Sequence, residues 1–173
     1  MDMMGRIPDV ILTLAFGFPP DLKMNKLLAR ETEKVVMKLK VPAFIERDIP
    51  VDLDIISMAG EKVEIYGRNI PAYLPCLKIM ISFRDWWMKN DEGWQSVLLL
   101  VAPPYRKRCI RDLKRVMPDI IVLIEPFEFI DRGFWFSSSS SQWWTRSRWP
   151  WMFREVLISI LPWKVYEWLS LRK

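Results

Sequence analysis

Gly93-Trp94-Gln95-Ser96-Val97-Leu98-Leu99-Leu100-Val101-Ala102-Pro103-Pro104-Tyr105-Arg106-Lys107-Arg108-Cys109 is the stretch that decides the fold. Its uninterrupted apolar run, Val97 to Ala102, has the pattern of a strand buried on both faces, as in a parallel sheet. The run stops at a Pro-Pro turn and passes into a basic helix reaching to about Met117, and a second apolar run, Ile120 to Ile124, follows Pro118. Strand, helix and strand in that order predict an α/β protein. In such folds ligands gather where strand C-termini meet helix N-termini, which is where Tyr105, Arg106 and Arg108 fall.

Upstream, Pro8 to Ala15 reads as the first strand and Gly17-Phe18-Pro19-Pro20 as the turn after it. Asp21 is the expected N-cap of a helix to about Lys40, with Leu27, Leu28, Val35, Val36 and Leu39 at helical spacing. Val41 to Ile45 reads as a short strand ending in Glu46-Arg47-Asp48. Leu53–Met58 and Lys62–Tyr66, separated by Ala59-Gly60, read as a hairpin or as two short sheet strands. A helix is expected from about Ala72 to Lys89, broken by Asp91-Glu92-Gly93. Strands near 9–15, 41–46, 97–102 and 120–124 should be mutually parallel, because helix-length crossovers join them.

The 173 residues, 51% of them hydrophobic, suffice for one substantial core, assigned to residues 1–132, with residues 133–173 as a distinct tail. The tail holds six Lys/Arg against two acids, most of the net charge of +5. It opens with a serine run, Ser137 to Ser141, expected to be a flexible connection. Seven of the ten tryptophans lie from Trp135 onward, and two helices are expected around Pro162, Trp151–Leu161 and Trp163–Leu171. Their apolar residues exceed one narrow face, which predicts packing on the domain or on a partner, a second copy included, with interfacial membrane contact as the alternative. The chain has no histidine, which excludes histidine-based nucleophilic catalysis, histidine metal sites and histidine pH switches. Cys76 and Cys109 are not spaced as metal ligands and read as buried free thiols. No apolar segment is long enough to span a bilayer. The Val10–Phe18 patch lacks a basic leader, so a cytoplasmic protein, at most peripheral to a membrane, is expected.

Residues 106–115 carry Arg106, Lys107, Arg108, Arg111, Lys114 and Arg115 against Asp112 alone. A solvated helix face and an anion or nucleic-acid site both fit such a run. With so modest a net charge, nucleic-acid binding is expected to be weak and non-specific.

The order of these segments resembles the SanA/YdcF/ElyC family of Rossmann-like proteins. The family's strand–turn–helix VLLVTSPYHxxRA is similar to Val97–Cys109, its Arg-Asn segment to Gly67-Arg68-Asn69-Ile70-Pro71, and its tail Arg-Glu pair to Phe153-Arg154-Glu155. Leu14-Ala15-Phe16-Gly17, Leu28-Ala29-Arg30 and Pro42-Ala43-Phe44-Ile45 match more weakly. Arg106 stands at the family's His, Cys109 at its Arg, and Glu46-Arg47 where two glycines are usual. Ile70 to Tyr73 replace the family's Thr and acid–Asn pair. The resemblance thus implies a Rossmann-like three-layer domain with a mostly parallel sheet, in a divergent and non-catalytic member. An enzyme of unknown reaction stays open, and no cofactor is indicated.

Together these readings place a site for a small anionic or nucleotide-like ligand, or a partner, at the strand C-terminal crevice. Its expected residues are Gly17, Phe18, Glu46, Asp48, Arg68, Asn69, Tyr105, Arg106 and Arg108. Helix N-termini aim free N–H groups there, and guanidinium groups suit phosphate or carboxylate. A rival reading takes Asp52, Asp54 and Glu64, with Glu31 or Glu33 before them, as a degenerate PD-(D/E)xK nuclease-like set that binds nucleic acid. Tyr66 stands where that pattern needs lysine.

Overall fold

The computed structural model describes residues 7–17, 20–58, 62–67, 75–90, 93–124 and 135–172. Along the chain run β1 (Val10–Thr13), α1 (Lys23–Leu39), β2 (Ala43–Glu46), α2 (Leu53–Ser57), β3 (Val63–Tyr66) and α3 (Cys76–Asn90). After them come β4 (Ser96–Leu100), a 3-10 turn (Pro103–Tyr105), α4 (Arg106–Val116), β5 (Ile121–Ile124), α5 (Arg148–Ile160) and α6 (Trp163–Leu171).

The continuous apolar runs become strands because both of their faces are covered. Every residue of β1, β2 and β4 is buried, whereas the edge strands β3 and β5 are largely half-buried. The sheet order is β3-β2-β1-β4-β5, and every pairing is parallel, with Leu12 beside both Phe44 and Leu99. Asp9 pins the start of the central pair: its Oδ2 accepts from the Ser96 N–H (2.8 Å), the Ser96 hydroxyl (2.7 Å) and the Gln95 N–H (3.0 Å). Helices flank the sheet in a Rossmann-like three-layer arrangement, with α1 against α2 and α3 against α4 and α6. Phe44 packs against Tyr66, Phe83 and Trp86, with ring centroids 5.5 Å apart in each pair, and closes the core beneath α3. Where α3 meets α4, Cys76 and Cys109 are buried free thiols with sulfurs 3.7 Å apart.

Two expectations need correction. Leu53–Met58 is not a strand: Leu53–Ser57 is helical, and the hairpin with Lys62–Tyr66 does not form. Asp52 is the cause, because its Oδ1 accepts from the Asp54 N–H (2.9 Å) and the Ile55 N–H (3.4 Å), an N-cap that turns the chain into a helix. Ile56 of this short helix reaches the core. Nor does Asp21 cap α1; Leu22 takes that place and offers no side-chain cap. The helix start is secured instead by the buried Asn25, whose Oδ1 accepts from the Phe16 N–H (2.9 Å) and whose Nδ2 donates to the Gly17 carbonyl (3.1 Å). The start expected for the helix at Ala72 lies outside the described residues.

The tail packs on the domain, and the basic helix α4 is where it lands. The Tyr166 hydroxyl donates to Oδ2 of the fully buried Asp112 (2.5 Å), whose Oδ1 is 2.7 Å from an Arg111 nitrogen. Arg111 and Arg115 lie 4.6 Å and 5.1 Å from the ring centres of Tyr166 and Trp163. Further along, Trp151 of α5 enters the main core, 4.8 Å from the Phe16 ring and 5.7 Å from the Tyr105 ring. Its burial gives a direct test of the tail as part of the folded unit. Trp151→Ala should lower the unfolding free energy in urea by about 3–5 kcal/mol, the usual cost of deleting a buried aromatic. A loss below about 1 kcal/mol would mean that the tail only rests on the domain.

Candidate functional site

In a sheet of this order, β1 has β2 on one side and β4 on the other, and the chain leaves the two neighbours in opposite directions. The crevice at the C-terminal ends of β1 and β4 is therefore the natural ligand position. Five of the nine expected residues, Gly17, Glu46, Asp48, Tyr105 and Arg108, do line it together. Phe18, Arg68 and Asn69 lie outside the described residues. Arg106 lines neither this crevice nor the groove beside it. It is half-buried, and burial lowers its pKa.

The crevice is nearly full. Its free volume is about 20 Å³, room for about one water, because Gln142, Trp144, Thr145 and Trp151 close it from above. Gly17 makes that closure possible. It holds a positive φ of 89°, and a Cβ there would stand 2.9 Å from Thr145 Oγ1 and 3.1 Å from Ser140 Oγ. The serine run forms a turn over this glycine: the Ser140 N–H donates to the Ser137 carbonyl (3.0 Å), and the Ser140 and Thr145 hydroxyls share a 2.6 Å hydrogen bond.

Beneath the cover lie two acids. Glu46 ends β2 and accepts from the Ala15 N–H through Oε2 (2.8 Å). Burial, helped by the charge of Asp48, pushes its carboxyl up to about 8 against the opposing pull of the Ala15 N–H and Arg47. Burial also raises Asp48, against the Arg47 guanidinium 3.4 Å away. The cation beside them is Arg108, which is 4% exposed. Its Nη1 is 2.9 Å from Glu155 Oε1, and its guanidinium sits 4.4 Å above the Tyr105 ring and 5.2 Å from that of Trp151. Burial raises the Glu155 carboxyl even though Arg108 and Arg154 both attract its charge. Arg154 approaches Glu155 Oε1 at 3.3 Å and stacks 4.8 Å from the Trp144 ring.

Beside the closed crevice opens a groove of about 1070 Å³ between the start of α4 and α5. Five cations line it, Lys107, Arg108, Arg111, Arg146 and Arg148, against one acid, Glu155. Trp135, Phe136, Trp151, Met152 and Val156 supply its apolar wall. Pro103 and Pro104 of the 3-10 turn lead into the start of α4 at Lys107, and Ser147 and Arg148 open α5, so the starts of two helices border one space. The Trp135 indole N–H is buried and finds no acceptor among the described residues. Sequence reasoning missed Arg146, Arg148 and Trp135 here, because only the fold-back of the tail brings them to α4. The one available signal was the Phe153-Arg154-Glu155 match.

The rival carboxylates do not converge. Asp52 caps α2, Glu33 accepts from the Asp52 N–H (2.6 Å), and Glu64 lies on the edge strand β3. Among the described residues no group of three acids or cysteines is placed to hold a metal ion.

The raised carboxyl of Glu46 gives the fold a pH dependence of definite sign. Between the ordinary carboxyl value of 4.5 and about 8, the folded chain keeps a proton that the unfolded chain has released. Its stabilising effect is complete at acid pH and is lost as pH rises through that window. The wild type should therefore lose more thermal stability than Glu46→Gln between about pH 5 and pH 8, as differential scanning calorimetry would read. Parallel curves for the two proteins would show that Glu46 is ionised in the fold.

No family model, no curated protein and no solved structure matches this chain.

Proposed function

We propose that the chain binds a small anionic ligand with a flat or apolar part, nucleotide-like in character. The position is the groove between the start of α4 and α5. One observation carries the reading: five cations and two helix N-termini surround one open space that holds a single acid. Arginine forks grip phosphate or carboxylate oxygens in pairs and keep their charge at any physiological pH. Trp135 and Phe136 offer rings for the apolar part. The site is thus proposed one step outward from the strand C-terminal crevice, whose remaining space admits no such ligand.

Lys107 and Arg148 are the residues to vary, because both are exposed and no ion pair holds them among the described residues. Titration calorimetry with ATP, AMP and inorganic phosphate should show binding that weakens as salt rises. The Lys107→Ala/Arg148→Ala variant should bind at least ~10-fold more weakly with its melting temperature unchanged, since each charge-assisted contact is worth roughly 1.5–3 kcal/mol. Equal affinity in the variant, or no heat from the wild type with any of the three, would overturn the reading.

A further inference from the structure

A helix lying on a protein surface normally turns its apolar stripe inward and its charges outward. In α5 the order is reversed. Trp149, Phe153, Leu157 and Ile160 recur at helical spacing along the outward side, clear of the groove that Met152 and Val156 wall, and all four are exposed; Trp149, Phe153 and Ile160 are 77%, 62% and 70% accessible. The side toward the domain carries Trp151, Arg154 and Glu155 instead, because Glu155 must reach Arg108. On α6, with Tyr166 buried below, Val165, Trp168 and Leu169 are exposed in the same way. Such an apolar surface on a folded chain marks an interaction site.

The charges around this surface select the occupant. Among the described residues from 135 to 172 the cations are Arg146, Arg148, Arg154, Lys164 and Arg172, and all but Arg154 are exposed. The two acids of the stretch, Glu155 and Glu167, are both half-buried. Two copies meeting through this face would press positive rims together, which disfavours a dimer. The Arg172 guanidinium lies 4.1 Å from the Trp168 ring centre, so a cation and an indole sit side by side at the edge of the apolar surface. Arginine and tryptophan flanking exposed phenylalanine, leucine and isoleucine is the composition of a helix that lies in the headgroup layer of an anionic bilayer. Neither helix can cross: α5 has 13 residues and α6 has 9, and no helix among the described residues is long and apolar enough.

We infer that the outward face of α5 and α6 seats the protein on an anionic lipid surface, with the helices parallel to the membrane plane and the domain above it. This inference does not depend on the groove reading, because Trp149, Phe153, Ile160, Lys164 and Arg172 do not line the groove.

The test is flotation of the full chain with vesicles of phosphatidylcholine alone and of phosphatidylcholine mixed with phosphatidylglycerol, with tryptophan emission read in parallel. The chain should float with the mixed vesicles, its emission should shift to the blue, and added salt should weaken the binding. Trp149→Ser/Phe153→Ser/Ile160→Ser should cut partitioning at least ~10-fold, as should Lys164→Gln/Arg172→Gln, in which every apolar residue is intact. Calorimetric titration with ATP should be unaffected in both variants. Three outcomes would overturn the inference. The chain could stay unbound with both vesicle types. The triple variant could bind anionic vesicles as well as the wild type, which would assign binding to charge alone. The wild type could elute as a dimer that the triple variant converts to monomer, which would assign the face to a second copy.

Discussion

Removing the Arg108 guanidinium from water costs several kcal/mol unless charge and hydrogen-bond partners go in with it, and arginine cannot escape by losing its proton. Tyr105 of the domain places its ring beneath the guanidinium, and the tail adds the Glu155 carboxylate and the Trp151 ring. The tail must therefore fold back over the ends of β1 and β4. Once it does, Trp151 fills the space above Phe16, Thr145 settles against Gly17, and the crevice shuts. The same requirement turns the polar side of α5 inward and leaves its apolar side facing out. Closed crevice, open groove and exposed apolar face all accompany the one pairing of Arg108 with Glu155.

The cations of residues 106–115 illustrate how a charge run divides its labour. Arg108, Arg111 and Arg115 lie against Trp151, Tyr166 and Trp163 of the tail, and Lys114 donates to the Ile120 carbonyl at 2.5 Å, closing the connection from α4 to β5. Their stems and guanidinium planes act as much through packing as through charge. Lys107 is exposed, and the positive surface around it is completed by Arg146 and Arg148, about forty residues further along the chain. Counting charges along the sequence overstates what one helix offers to an anion and understates what two segments offer together.

The strands were legible because the information lies within them. Val97 to Ala102 and Ile120 to Ile124 are apolar without interruption, and helix-length spacers leave parallel pairing as the simple solution. Leu53–Met58 misled because four apolar residues in six resemble a strand, while the deciding interaction is one carboxylate capping two amides. At the site, Gly17, Glu46, Asp48, Tyr105 and Arg108 were predictable from topology alone, since strand ends and the turns after them must meet. What local pattern could not convey was the cover. Tryptophan density announced that the tail would pack on the domain or on a partner, but which face of α5 turns inward depends on a pairing between Arg108 and Glu155 that leaves no periodic trace.

The paired thiols of Cys76 and Cys109 connect this architecture to its motions. They sit between α3 and α4, and α6 packs against α3. Burial, together with the neighbouring sulfur, holds the Cys109 thiol well above its ordinary pKa, and a thiol that rarely ionises is inert toward electrophiles. A reagent dissolved in water reaches these sulfurs only when α3 and α4 part. The rate at which they become alkylated thus records how often the helical layer breathes, and a ligand or surface that clamps the tail onto α4 would slow that chemistry without touching either cysteine.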